Sequence, residues 1–538
     1  MKRFLIFHPW LFALFSPISM YAHNLGEIAF SGAVRSMLFS LAIAVLLLLV
    51  VRIIVKDWLS AAVLTSLILV FLFSYGHVYS IMKQWRIGGF IIGRHRFLLP
   101  VGTALLVIVL ILVVRKVRDW VSLNRLFNVM GFAALLLPIF AIGAYSLESN
   151  SISSSFETQD LDLYAPARES FKEDLPDIYY IILDGYARSD VLAELYDYDN
   201  TSFEAFLAAN GFYVAKNSTS NYAQTHLSLA SSLNMKYLDG LVVAIGEDAT
   251  NVRPLGEMVR NSEVRAHLTD FGYRTVSFES GYGLMEVGNA DIYLRSGGDP
   301  TNQNILFFLD ASINAFESQF IETTLFRALI DLQILMQSTV QQSILDPAYA
   351  THRNRILYIF DRLTDIPAME GHHFVFVHII APHPPFVFGP NGEEVRNLRA
   401  YSLADGDYYV GSPDYLSGYR DQLVFINTML ERAITEILEE STIAPVILLQ
   451  ADHGPGAYLE WRDPDVRMLK ERMSILSAYH LSDRAAGMLY ETITPVNSFR
   501  VVFNGYFGFE FPLLKDENFY SLPGHPYKLL PVTEEVQP

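Results

Sequence analysis

The first 150 residues contain five long apolar stretches and few acids, which commits this part of the chain to helices in a lipid phase. The stretches run roughly over residues 4–21, 37–55, 59–77, 97–114 and 126–145. A helix rises about 1.5 Å per residue, so about 20 residues cross the ~30 Å hydrocarbon layer. Only a segment that satisfies its own backbone N–H and C=O groups persists there. Thirteen Lys/Arg accompany four Asp/Glu up to Asn150, whereas the remainder carries 26 and 53. The break near residue 150 therefore divides a membrane part, 1–148, from an acidic globular part, 176–538. Between them, 149–175 is polar, rich in Ser, Asp and Glu, and reads as a linker.

Arg52 interrupts the second stretch near its end, where its long stem can reach the interface. The first stretch follows Lys2 and Arg3 and also resembles a secretion signal. Pro9, Pro17 and bulky side chains stand where a cleavage site needs small ones, which favours a retained helix. Basic residues at the amino end, at Arg52 and Lys56, and at Arg115, Lys116, Arg118 and Arg125 mark cytoplasmic ends. Five crossings then place everything after Tyr145 outside. Lys83, Arg86, Arg94 and Arg96 depart from this pattern, on a loop expected outside. That loop is either a tolerated exception or a basic rim, with Arg94 and Arg96 as candidate contacts for an anionic headgroup.

The acidic part alternates strand and helix patterns. Apolar runs at 178–183, 274–278, 374–380 and 446–450 read as buried strands, and helical spacing appears at 201–210, 264–271 and 415–440. Such alternation implies a mostly parallel sheet covered on both faces, with ligands bound beyond the carboxyl ends of its strands. The acidic charge argues against a nucleic-acid partner. The absence of cysteine excludes disulfides, thiolate-bound zinc and a cysteine nucleophile.

Three segments bring reactive side chains to that sheet edge. In APVILLQADHG, 444–454, a strand ends in Asp452 and His453, whose carboxylate and imidazole suit zinc or manganese, though a turn Asp beside a surface His reads the same. In PDIYYIILDGYAR, 176–188, Asp184 ends another strand as a further candidate ligand, and Arg188 follows as a candidate anion contact. Taken alone, Asp-Gly is a common turn. In NYAQTHLSLASSLN, 221–234, Thr225 stands near the start of an apolar helix, where free N–H groups favour an anion and where Thr is also an ordinary cap. Arg500, in the helical stretch 494–508, is another anion candidate for which core packing is the alternative.

These segments, with the HxxxxHxPF pattern of His378 to Phe386, occur in the order of the alkaline phosphatase superfamily. The chain resembles its membrane-bound sulfatase-like branch, which includes lipoteichoic acid synthases and phosphoethanolamine transferases. The resemblance implies an N-terminal five-helix transmembrane bundle followed by an α/β alkaline-phosphatase-like (sulfatase-like) domain outside the bacterial inner membrane. It implies one divalent metal ion (Zn, Mn, Mg or Ca) held by Asp184, Thr225, Asp452 and His453. Thr225 would be the nucleophile, and His383, with His378, would serve the phosphoryl oxygens or the leaving group. A second metal would draw on His378, His383 and His480.

Two departures bear on the substrate. Phosphotransferases of this branch usually carry Glu where Asp184 stands, and Asp-Gly is similar to sulfatases and nucleotide phosphodiesterases. No Cys or Ser stands in the C/S-x-P-x-R setting from which sulfatases make formylglycine. The expected activity is transfer of a substituted phosphate from a membrane phospholipid to an envelope glycan or lipid. A sulfatase-like hydrolase is the alternative, and a non-catalytic envelope scaffold is the reading from another class. Specificity is expected in loops such as 282–349, which carry no readable motif.

Overall fold

The structure is a computed structural model and describes residues 5–25, 30–83, 85–87, 90–153, 175–296, 315–329, 331, 346–396, 401, 406 and 409–537. Most of the expected linker, 154–174, lies outside the described residues. The chain divides into two compact units. The first comprises Met1–Asn150 with Ala311–Ala348 and Asn397–Ser402, and the second comprises the rest.

The first unit is built on five helices: α1 (His8–His23), α2 (Phe30–Val55), α3 (Trp58–Met82), α4 (His95–Lys116) and α5 (Trp120–Ser153). Four of them, α2 to α5, are long and apolar enough to cross a membrane. Helix α1 has 16 residues, about 24 Å, less than a full hydrocarbon thickness. It is nonetheless integral to the bundle. Ala13 is inaccessible in a cluster with Ala44, Leu69 and Phe73. At its start, His8 is held by Ser66 (2.7 Å) and Asn124 (2.8 Å), while the backbone N–H groups of Phe7 and His8 donate to Asn128.

A segment remote in sequence completes this unit. Helix α6 (Ala315–Thr323) packs Phe320 into the same cluster as Ala13 and Phe73. The N–H of Leu325 donates to the carbonyl of Leu72, which lies roughly 15 Å inside the end of α3 at 1.5 Å per residue. Gly76 makes this approach possible, because a Cβ there would stand 2.1 Å from the Glu322 carbonyl. Arg35 and Glu317 form a two-pronged ion pair, and His95 stacks on Tyr79 while bonding Asp331 at 2.8 Å. Lys83 follows α3, and Arg94 and Arg96 are exposed at the start of α4. The Arg86 side chain lies outside the described residues.

The second unit is an α/β domain around a seven-stranded sheet. Its strands are β1 (Ile178–Leu183), β2 (Tyr213–Val214), β3 (Arg274–Phe278), β4 (Ile292–Leu294), β5 (His373–Ile379), β6 (Val446–Ala451) and β7 (Ser477–His480), in the order β2-β7-β6-β1-β5-β3-β4. Strand β1 pairs in parallel with β5 and β6, and β7 is antiparallel to both of its neighbours. Every residue of β1, β5 and β6 is buried, as expected of central strands covered on two faces. Helix α7 (Pro413–Glu440) buries one stripe, and Phe499 of α8 (Pro495–Tyr506) packs edge-on against Tyr180 of β1 and Phe374 of β5. In register, Leu183, Ile379 and Ala451 end side by side, so their continuations emerge at one edge.

Removing one partner of a largely buried ion pair strands the other, at a cost of about 3–5 kcal/mol. Glu317→Ala and Arg35→Ala are each expected to destabilise the first unit on that scale, and the double variant to lose clearly less than the sum. Thermal unfolding of the four proteins in detergent measures this, and strictly additive losses would deny the pair a role.

Candidate active site

Asp184 follows β1 directly, and Asp452 and His453 follow β6. One ligand atom from each lies within 4.8 Å of the others, and all three residues are buried. Gly185, at φ +73°, turns the chain immediately after β1, and its N–H donates to Asp452 Oδ1 at 3.2 Å. Asp184 Oδ1 and Asp452 Oδ2 are buried without a hydrogen-bond partner.

The state of His453 is set by its neighbours. Nδ1 faces the Gly454 carbonyl at 2.9 Å, which can only accept, and Nε2 faces the Arg472 guanidinium at 2.9 Å, which can only donate. The ring is therefore neutral with its proton on Nδ1, and burial followed by the Arg472 charge holds its pKa well below the usual value. The Nε2 lone pair faces Asp452 Oδ2 at 3.2 Å and Asp184 Oδ1 at 3.9 Å. Two carboxylates and an imidazole nitrogen thus converge, a donor set that suits a cation.

Thr225 is the first residue of α9 (Thr225–Leu233), and its hydroxyl lies 3.0 Å from His453 Nε2. Gln224 before it adopts the extended conformation of an N-cap, but its side chain is spent on Ser521. Thr225 is therefore no side-chain cap, and its hydroxyl is turned to the acids.

His378 lies in β5 with Nε2 3.3 Å from Asp184 Oδ2. Three residues beyond Ile380, His383 donates its backbone N–H to the Asp184 carbonyl. It lines a cavity together with Gly185, Tyr415, Trp461 and Arg472. Burial pushes the Asp184 carboxyl up, but His383 and His378 outweigh it and hold the group below the usual carboxylate range. Burial, then the Asp184 charge, pushes Asp452 the other way.

Other sequence candidates lie elsewhere. Arg188 is engaged by Asp190 through both prongs and by the Ser218 carbonyl. Arg500 donates to the carbonyls of Met235 and Pro512, and its guanidinium lies 5.8 Å from the Phe511 ring. His480 pairs with Ile447 near the start of β6 and bonds the Pro445 carbonyl, so the sheet separates it from the acids. Arg94 and Arg96 belong to the first unit.

Arg472 went unseen in the sequence. It belongs to helix α10 (Val466–Met473), 18 residues past Gly454 and outside any recognisable motif. The only local sign is a cation immediately before the apolar run that leads into β7.

No protein-family model matches the sequence, and no curated protein matches it. Solved structures do. The chain is similar to the full-length lipooligosaccharide phosphoethanolamine transferase A from Neisseria meningitidis, at 10% identity over 93% of this chain and 95% of that one, with a TM-score of 0.36. It is similar to the C-terminal periplasmic domain of EptC from Escherichia coli, at 12% identity over 68% and 96%, with a TM-score of 0.36. The lipoteichoic acid synthase LtaP from Listeria monocytogenes matches at 11% identity over 64% and 77%, with a TM-score of 0.37. All three likenesses are distant, and the chemistry rests on the side chains themselves.

The purified chain is expected to carry about one divalent ion, the usual load of a single cluster of this kind. Asp452→Asn should weaken zinc binding by at least the roughly 10–100-fold that even outer contacts are worth, and should bring the melting temperature toward that of chelator-treated protein. Calorimetric titration with zinc and thermal unfolding measure the two effects, and wild-type affinity in the variant would remove Asp452 from the ligand set.

Proposed function

We propose that this chain is a membrane-anchored, metal-dependent phosphotransferase that moves a substituted phosphate from a phospholipid to a hydroxyl of an envelope glycan or lipid. The observation that carries this reading is the Thr225 hydroxyl, 3.0 Å from His453 Nε2 at the mouth of a buried two-carboxylate cluster. A hydroxyl so placed can serve as the nucleophile, because the groups around it can take up its proton.

The residues that would hold the ion are Asp184, Thr225, Asp452 and His453. When bound, a divalent cation lowers the proton affinity of a hydroxyl and offsets charge on phosphoryl oxygens. Asp184 and Asp452 would fix the charge that holds it, and the Gly454 carbonyl keeps His453 in the tautomer whose Nε2 carries the coordinating lone pair. Thr225 would enter the step as the oxyanion, its hydroxyl proton having passed to solvent; Oγ1 attacks phosphorus, the new O–P bond forms as the lipid O–P bond breaks, and diacylglycerol leaves with a proton delivered by His383. An acceptor hydroxyl then attacks the phosphothreonine, its proton passing back to His383, and Thr225 is released as the oxyanion that began the cycle. The start of α9 adds N–H groups that favour the anion.

The four long apolar helices support an anchor in the bacterial inner membrane with the second unit outside it.

Thr225→Ala, assayed at saturating zinc, is expected to abolish turnover, by about 10³-fold or more, while leaving the fold intact. Incubation with headgroup-labelled phospholipid vesicles separates the outcomes. Diacylglycerol with label on a lipid or glycan acceptor supports transfer, water-soluble label alone makes the chain a hydrolase, and full activity in the Thr225 variant sinks the nucleophile.

A further inference from the structure

The side chain that orients His453 also has the means to hold the substrate. Arg472 is buried, and its guanidinium is fixed at three points: Nε donates to the Ala223 carbonyl at 2.8 Å, Nη1 to the Gly454 carbonyl at 3.1 Å, and Nη2 to His453 Nε2 at 2.9 Å. Two of these anchors lie on the segments that deliver Thr225 and His453, and both are backbone groups that persist whatever binds. The third cannot persist. Nε2 has one lone pair, and a cation that takes it leaves the Nη2 protons without an acceptor in a buried site.

A guanidinium beside a dication is repelled unless an anion stands between them, and a buried unmet donor is itself costly. The non-bridging oxygen of a phosphoryl group satisfies both demands, and a planar fork suits it geometrically. Arg472 lines the same cavity as His383 and Trp461, and Trp461 lies 5.5 Å from the Arg472 guanidinium.

The approach of Arg472 is built into the fold. A Cβ on Gly454 would stand 2.0 Å from the Glu471 carbonyl, and the Gly454 N–H donates to the Arg472 carbonyl at 2.7 Å. Glycine after Asp452-His453 therefore lets the end of α10 close on the acids. The other two arginines singled out in this unit, Arg188 and Arg500, are spent on Asp190 and on backbone carbonyls.

We propose that Arg472 is the residue that binds the non-bridging oxygens of the phosphoryl group at this site. This rests on the phosphotransferase reading above and adds a substrate contact that the sequence motifs do not include. Two carboxylates, a dication and Arg472 sum to one positive charge, which matches the single negative charge of a phosphodiester.

The test uses the full chain in detergent, loaded with zinc, and inorganic phosphate as probe. Arg472→Met is expected to weaken phosphate binding by about 10- to 100-fold, the value of a charged hydrogen bond, while zinc affinity is unchanged or tighter because a cation has left. Phosphate binding by Arg472→Met as tight as wild type overturns the proposal. If that variant melts early or loses zinc, Arg472→Lys keeps the charge and much of the packing; it should retain zinc and still bind phosphate more weakly, and undiminished phosphate affinity overturns the proposal equally. Thr225→Ala run in parallel separates the two readings. Wild-type turnover there defeats the nucleophile while leaving the phosphate result for Arg472 standing.

Discussion

Two buried carboxylates close enough to repel one another set the terms for the rest of the second unit. Asp184 and Asp452 end adjacent parallel strands, with ligand atoms within 4.8 Å. At that distance two full charges repel by on the order of 3 kcal/mol even at an effective dielectric of 20. The opposite displacement of their pKa values expresses this: surrounding imidazoles favour one ionised acid, and that acid discourages the second. A cation held between the two would relieve that repulsion, and the tautomer of His453, the turn at Gly185 and the orientation of Thr225 are all compatible with one.

Parallel pairing explains why these groups meet although 268 positions separate Asp184 from Asp452. Strands β1, β5 and β6 run in the same direction and end in register, so the residues just past each strand reach the same edge. The strands were legible because burial on both faces writes a near-continuous apolar run, as in Ile178–Leu183 and, broken only by Gln450, Val446–Ala451. Asp184, Asp452 and His453 were legible as the polar residues that break those runs. Strand β7 was missed because its four residues, Ser477–His480, mix polar and apolar side chains and run antiparallel beside β6. That omission left His480 among the candidate ligands, when the reversed direction carries it to the opposite edge.

Arg472 shows a different limit. Its role depends on contact with Ala223 and Gly454, residues 249 and 18 positions away, and no periodicity encodes such a meeting. Arg188 and Arg500 looked equally suitable because an arginine near a motif has the same letter whether its fork faces a substrate or a carbonyl. Position decides. The small residue that permits the approach, Gly454, was visible, but the atom it makes room for belongs to another helix.

The first unit departs from a sequence reading for a related reason. Its apolar helices announce themselves by length, whereas 315–331 carries Glu317, Glu322, Arg327 and Asp331 and has no membrane signature. Charges can enter such a bundle only if each is met there. Arg35 meets Glu317, His95 and Arg327 meet Asp331, and Arg327 also reaches Glu322. Every one of these partners comes from α2, α4 or the segment itself, so the polar cost of the segment is offset only when the bundle is assembled around it. Gly76 removes the remaining obstacle by letting backbone meet backbone. The segment is thus a structural component of the bundle, although more than 150 residues of chain separate it from α5. Its apolar contribution, Phe316 against Tyr21 and Ala33 and Phe320 against Phe73, fastens α1 to α3 from one side while the His8 network fastens α1 to α3 and α5 from the other.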